Sequence, residues 1–247
     1  MWKYTEISKR TKLLLLANIV SWVLVITLII KGKYFTKIYT QIFKKEIGES
    51  NPYSLNPKFQ EQVDYCSIYK SQANVVMLGN SLTYRMNWNE LMDRNDIVNR
   101  GVGSDITQGF IARLNFVFAV NPKICFIEGG INDLDRNIPP EEIEKNIRIL
   151  VDSLKNRSII PVISLVLYVT KEYPNSSKLN KQVALLNERL TKLALEKKIQ
   201  TFDLNKYLST DNYLKSELAE SDGIHLTGQA YLIWKNEIEK ILKAFSI

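Results

Sequence analysis

Histidine is almost absent from this chain: among 247 residues there is one, His225. Cysteine is nearly as scarce, with Cys66 and Cys125 alone. One imidazole and two distant thiols give no zinc-ligand spacing, so neither a zinc finger nor a His-rich metal centre fits. Two thiols make no disulfide framework either, and they leave the redox compartment open. Cys125 lies in an apolar run and reads as a core residue. There is no Gly-Lys-Ser/Thr phosphate loop, no internal repeat and no low-complexity tract. Positive charge is missing from the part of the chain where a nucleic-acid binder would carry it. The formal net charge is +7, but residues 1–45 hold nine basic side chains against Glu6 alone, so the remainder is close to neutral. That excludes nucleic acid as a partner, because a binding domain needs its own basic face.

What is present is enough hydrophobic sequence for a core, 45% against 24% charged, which excludes global disorder. Residues 13–30 carry no charge. As a helix they are about 27 Å long, close to the roughly 30 Å of a bilayer's hydrocarbon core. A buried core helix is disfavoured, since such runs rarely go this far without a polar face. A cleaved signal peptide would have a shorter apolar region ending at a small-x-small site, whereas this run ends in Lys31-Gly32-Lys33. The expectation is an uncleaved single-pass anchor over residues 1–33, touching the membrane through 13–30. A linker over 34–71 and a catalytic domain over 72–247 follow. Basic residues flank the run on both sides nearly equally, and the orientation adopted puts the domain outside the cytoplasm.

From about residue 72 short apolar runs alternate with helical periodicity. Strands are expected over 74–79, 96–101, 123–129, 159–169 and 199–204, and helices over 106–120, 139–155, 177–198 and 227–245. Strands alternating with helices imply an α/β fold with a five-stranded parallel sheet covered on both faces. Sites in such sheets form at the carboxyl ends of the strands.

Four segments fall there. The first strand ends in Gly79-Asn80-Ser81-Leu82-Thr83, displaying a serine that, read alone, is more often a turn cap. The second ends in Gly101-Val102-Gly103-Ser104-Asp105. Its backbone N–H groups suit an oxyanion, although a plain strand-to-helix loop or a dinucleotide loop reads similarly. The latter is weak, because Ile106 stands at the third glycine position. The third ends in Gly129-Gly130-Ile131-Asn132-Asp133. The Asn132 amide is a neutral donor that can hold an oxyanion, and a turn asparagine is the bland alternative. Near the C-terminus comes Asp222-Gly223-Ile224-His225, with a carboxylate three residues before the imidazole. Such an Asp can fix the tautomer that accepts a serine's proton, and if Ser81 needs a His base, His225 must supply it. Glu128, Asp133 and Asp135 suggest a cation site, but a solvated loop after a strand is the preferred reading.

Together these segments resemble the four conserved blocks of the SGNH/GDSL hydrolase superfamily over residues 74–245. The resemblance implies a flavodoxin-like three-layer α/β/α sandwich. It assigns Ser81 as nucleophile, His225 as general base and Asp222 as its orienting acid. The Asn132 amide and the backbone N–H groups of Ser104 and Ser81 become oxyanion donors, and no cofactor or metal is implied. Two positions depart from the family pattern: Asn80 replaces the usual Asp, and Ser104 replaces a glycine. The activity implied is hydrolysis of an acyl ester. Acetyl esters on glycans are the first substrate class, beside lysophospholipids and acyl thioesters. Two rivals stand. One is a membrane-tethered acyltransferase using the same triad, distinguished by transfer to a sugar hydroxyl exceeding hydrolysis. The other is a non-catalytic surface module, distinguished by an unreactive Ser81 in a folded domain.

Overall fold

Five short runs of β-branched and apolar residues form the middle of the molecule: β1 (Val75–Gly79), β2 (Ile97–Gly101), β3 (Ile124–Glu128), β4 (Ile160–Ser164) and β5 (Gln200–Phe202). The computed structural model describes residues 18, 20–23 and 52–247, and Asn51–Ile247 form one compact unit. All pairs within this sheet are parallel, in the order β2-β1-β3-β4-β5. The chain reverses its direction of winding between β1 and β3, and the carboxyl ends of the strands at such a reversal are where open α/β sheets place their sites. β1 and β3 are buried along their whole length, as expected of strands covered on both faces.

The period of two sorts their side chains into two cores. Val76, Leu78, Cys125, Ile127 and Ile163 face one layer. There they meet α4 (Thr107–Ala112), α5 (Asn115–Phe118), α7 (Pro140–Lys155) and α8 (Ser176–Lys197). Val75, Met77, Ile124, Phe126 and Val162 face the other, against α3 (Trp88–Met92), α9 (Asn205–Leu208) and α10 (Gly228–Ala244). Helix α7 follows the spacing predicted from sequence, with Ile143, Ile147, Leu150, Val151 and Leu154 all buried. Three further helices complete the frame: α1 (Pro57–Ile68), α2 (Ser81–Tyr84) and α6 (Ile131–Asp135). Asn56 caps α1 and donates from Nδ2 to the Gly103 carbonyl at 2.8 Å.

The five-stranded parallel α/β fold agrees with the sequence reading, and two elements differ from it. The helix expected over 106–120 is interrupted between Ala112 and Asn115. Arg113 turns inward at this point, donating to the carbonyls of Arg100 and Gly79 on the sheet. The strand expected over 159–169 stops at Ser164. Its neighbour β5 ends at Phe202, so there is no further strand for it to pair with. Side-chain amides replace that strand. Asn187 accepts from Val166 N–H at 2.7 Å and donates to Val166 O at 2.8 Å. Asn180 does the same to Val169, both at 3.0 Å. Asn205 accepts from Tyr168 N–H at 3.1 Å. An Asn187→Ala variant leaves a buried N–H unpaired. It is expected to lose about 2 kcal/mol of stability, read as a lower urea midpoint at unchanged m-value.

Among the described residues no helix is long and apolar enough to cross a membrane. The anchor expected over 13–30 lies outside the described residues, apart from residues 18 and 20–23, which are helical and exposed.

Candidate active site

The carboxyl end of β1 passes directly into α2, with Asn80 at the cap and Ser81 as the first helical residue. Asn80 holds the turn by accepting Leu82 N–H at 2.8 Å. Gly79 is required here, because a Cβ would come within 2.0 Å of Thr83 Oγ1 and 2.8 Å of the Glu128 carbonyl. Ser81 is half-buried.

His225 reaches Ser81 from the loop before α10. Its Nε2 lies 2.9 Å from Ser81 Oγ, and its Nδ1 lies 2.5 Å from Asp222 Oδ2. The other Asp222 oxygen accepts the N–H groups of Ile224 at 3.1 Å and His225 at 3.0 Å. Burial acts to raise the Asp222 pKa. The hydrogen bonds from the His225 backbone and ring and from Ile224 outweigh it and hold the carboxyl at about 2. An ionised carboxylate only accepts, so in the neutral imidazole Nδ1 carries the hydrogen and Nε2 offers its lone pair to the serine hydroxyl. Gly223 makes the turn possible. Its φ is +75°, and a Cβ there would meet Thr170 Oγ1 at 2.6 Å.

The other two predicted residues lie on neighbouring strand ends and make no hydrogen bond to this chain of three. Asn132, the second residue of α6, donates one amide hydrogen to the Asp105 carbonyl at 2.8 Å. That bond ties the loop after β3 to the loop after β2. Ser104 is exposed with φ +60°. Its carbonyl accepts from Arg136 Nη2 at 2.8 Å. The left-handed conformation accounts for the family's preference for glycine at this position, and a serine tolerates it at a cost of about 1 kcal/mol. Among the described residues the N–H groups of Ser81 and Ser104 donate to no protein acceptor.

Of the three acidic residues at and beyond the end of β3, Asp135 is exposed as the solvated-loop expectation has it, and the other two correct that expectation. Glu128 and Asp133 are 4% and 0% exposed. Asp133 accepts from the Thr107 hydroxyl at 2.5 Å and from Thr107 N–H at 3.0 Å. Burial pushes it up to about 6 against those bonds. No group among the described residues is arranged to hold a metal ion. Sequence reasoning also missed Arg113, whose guanidinium pairs with Asp105 at 2.8 Å under the loop. An arginine within an apolar helical stretch was the available signal.

A five-stranded parallel sheet wound in this order, with Ser and Asn just past its strands and Asp-x-x-His in the loop before the last helix, is the arrangement of the SGNH class of ester hydrolases. The model of the GDSL-like lipase/acylhydrolase family matches residues 77–233, and the chain belongs to that family. It is 26% identical over 167 residues to an N-acylneuraminate cytidylyltransferase from Streptococcus agalactiae, covering 67% of this chain and 38% of that protein. This chain thus spans well under half the length of that relative. It is also 26% identical to the isoamyl acetate-hydrolyzing esterase of Saccharomyces cerevisiae, covering 64% of this chain and 73% of that one. In fold it is similar to a GDSL-like lipase from Bacteroides thetaiotaomicron. That match has a TM-score of 0.67 and 20% identity, covering 75% of this chain and 97% of that chain.

Proposed function

We propose that the protein is a serine esterase that removes a short acyl group, acetyl foremost, from a hydroxyl of a surface glycan. The observation that carries this reading is the hydrogen-bonded chain Ser81–His225–Asp222 built on the only imidazole in the sequence. Ser81 Oγ attacks the ester carbonyl carbon while His225 Nε2 takes its proton. The carbonyl oxygen becomes an oxyanion held by the Asn132 amide and the N–H groups of Ser81 and Ser104. Collapse breaks the bond to the alcohol, which leaves with the proton from His225. Water, deprotonated by the same imidazole, then releases the acid from Ser81.

One observation supports a sugar as the leaving group. Of the relatives, one is named for an acetate ester and another for an acidic sugar. In the same reading residues 13–30 tether the enzyme to a membrane with its domain outside, and membrane pellets should retain the chain after alkaline washing.

The test is a series of p-nitrophenyl esters together with an O-acetylated glycan. Acetate should exceed octanoate at least about tenfold in kcat/KM, and acetate should be released from the glycan. The opposite chain-length order would move the substrate to lipids. Acyl transfer to added sugar outpacing hydrolysis would make the protein an acyltransferase.

A further inference from the structure

The turn that presents Ser81 rests on a buried carboxylate. Asn80 Nδ2 donates to Glu128 Oε1 and Thr83 Oγ1 donates to Glu128 Oε2, each at 3.1 Å. Asn80 and Thr83 are 0% exposed and Glu128 is 4% exposed. Both ends of the Asn80 amide are therefore committed, its oxygen to Leu82 N–H and its nitrogen to Glu128. An aspartate at position 80 could make only the first bond. Its second oxygen would face Glu128 Oε1, setting two carboxylates together where Glu128 has no ion-pair partner among the described residues. Like charges buried that close cannot both stay ionised. An uncharged amide at 80 and a carboxylate at 128 are thus two halves of one device.

We infer that Glu128 is a positioning residue for the nucleophile: as a carboxylate it clamps Asn80 and Thr83, and through them the backbone that presents Ser81. The inference rests on the serine-esterase reading. A carboxylate accepts from both donors at once, whereas a carboxylic acid carries a proton on one oxygen and releases one of them. Burial pushes Glu128 up to about 7, against the hydrogen bonds from Thr83 and Asn80. The other ionisable groups nearby do not take its proton. Tyr231 on α10 is raised by burial and then by Glu128, and its hydroxyl is committed to the Leu82 carbonyl at 2.6 Å. Arg113, on the Gly79 carbonyl beside it, spends its charge on Asp105. Protonation of Glu128 as pH falls through neutrality therefore releases one of the two donors and loosens the turn that presents Ser81.

The experiment compares the full chain with Glu128→Gln, Asn80→Asp and the double variant, by kcat/KM for p-nitrophenyl acetate between pH 5 and 9 and by urea midpoint. Glu128→Gln, whose amide oxygen still accepts from Asn80, should fall about tenfold below wild type at pH 9 and approach it at pH 5, where Glu128 is itself neutral. The loss should fall on kcat, with KM little changed. Asn80→Asp should lose at least about 100-fold or fail to fold at neutral pH. Adding Glu128→Gln, which offers the introduced carboxylate an N–H, should recover at least about tenfold of that loss. A Glu128→Gln enzyme with wild-type kcat across the pH range overturns the inference. So does a double variant no better than Asn80→Asp while Glu128→Gln alone folds. A wild type that turns over nothing sinks the esterase reading separately. The clamp is then judged by the urea midpoints, where Glu128→Gln must relieve the Asn80→Asp penalty.

Discussion

Ser81→Ala and His225→Ala are each expected to lower kcat/KM for p-nitrophenyl acetate by at least about 10³-fold, with far-UV spectrum and urea midpoint unchanged. The size follows from the division of labour along the hydrogen-bonded chain. Without the hydroxyl no acyl-serine forms. Without the imidazole the hydroxyl keeps its proton, and no second histidine exists to replace it. Because the two act in one step, removing both should cost little more than removing either. Activity that survives either substitution within a few-fold would require another nucleophile. A double loss equal to the product of the single losses would mean that the 2.9 Å contact between Ser81 and His225 is not used in the reaction.

Arg113→Met is expected to destabilise the fold by about 3–5 kcal/mol. Arg113 and Asp105 side chains are 4% and 0% exposed, and their 2.8 Å contact is the only buried ion pair among the described residues. Methionine preserves much of the volume but leaves Asp105 charged and unpaired, with the Arg100 and Gly79 carbonyls short of a donor. Burial already sets Asp105 above the usual carboxylate range, and Arg113 pulls it back. Removing Arg113 raises it further, so the folded variant binds a proton that the unfolded chain releases. Its stability therefore falls as pH rises through that window. The deficit should be largest near pH 8 and shrink towards pH 5, and Asp105→Asn added to Arg113→Met should restore part of it. Urea titrations at the two pH values measure both effects, and a deficit that does not change with pH would refute the uncompensated charge as its cause.

These two residues also mark the limit of what the sequence discloses. Ser81 and Asn132 were legible because each stands just past an apolar run, and Asp222–His225 because it precedes the last helix and a single histidine left no choice of base. The sheet was legible for the same reason, with β1, β2 and β3 lying within a residue of where their apolar runs place them. Arg113, Glu128 and Asp133 were not. Their burial depends on partners 8 to 48 positions away in the chain, and a charged residue beside a loop reads as solvated until those partners arrive. The end of β4 was hidden for a related reason. Residues 165–169 are as apolar as those before them, and the strand stops because β5, more than thirty residues later, is only three residues long.

The asparagines that take over from β5 bear on how the protein behaves when crowded. A polypeptide edge with unsatisfied N–H and C=O groups is a template on which a second molecule can add a strand. The stretch after Ser164 has the apolar sequence to serve as one. Asn180, Asn187 and Asn205 occupy its bonding sites at Val166, Tyr168 and Val169, so a neighbouring copy finds no vacancy there. Their role in colloidal stability is set by the amide and not by polarity alone. Deamidation at 187 would replace a donor with a second acceptor against the Val166 carbonyl and reopen the edge. Ageing of the protein in solution should then appear as slow self-association.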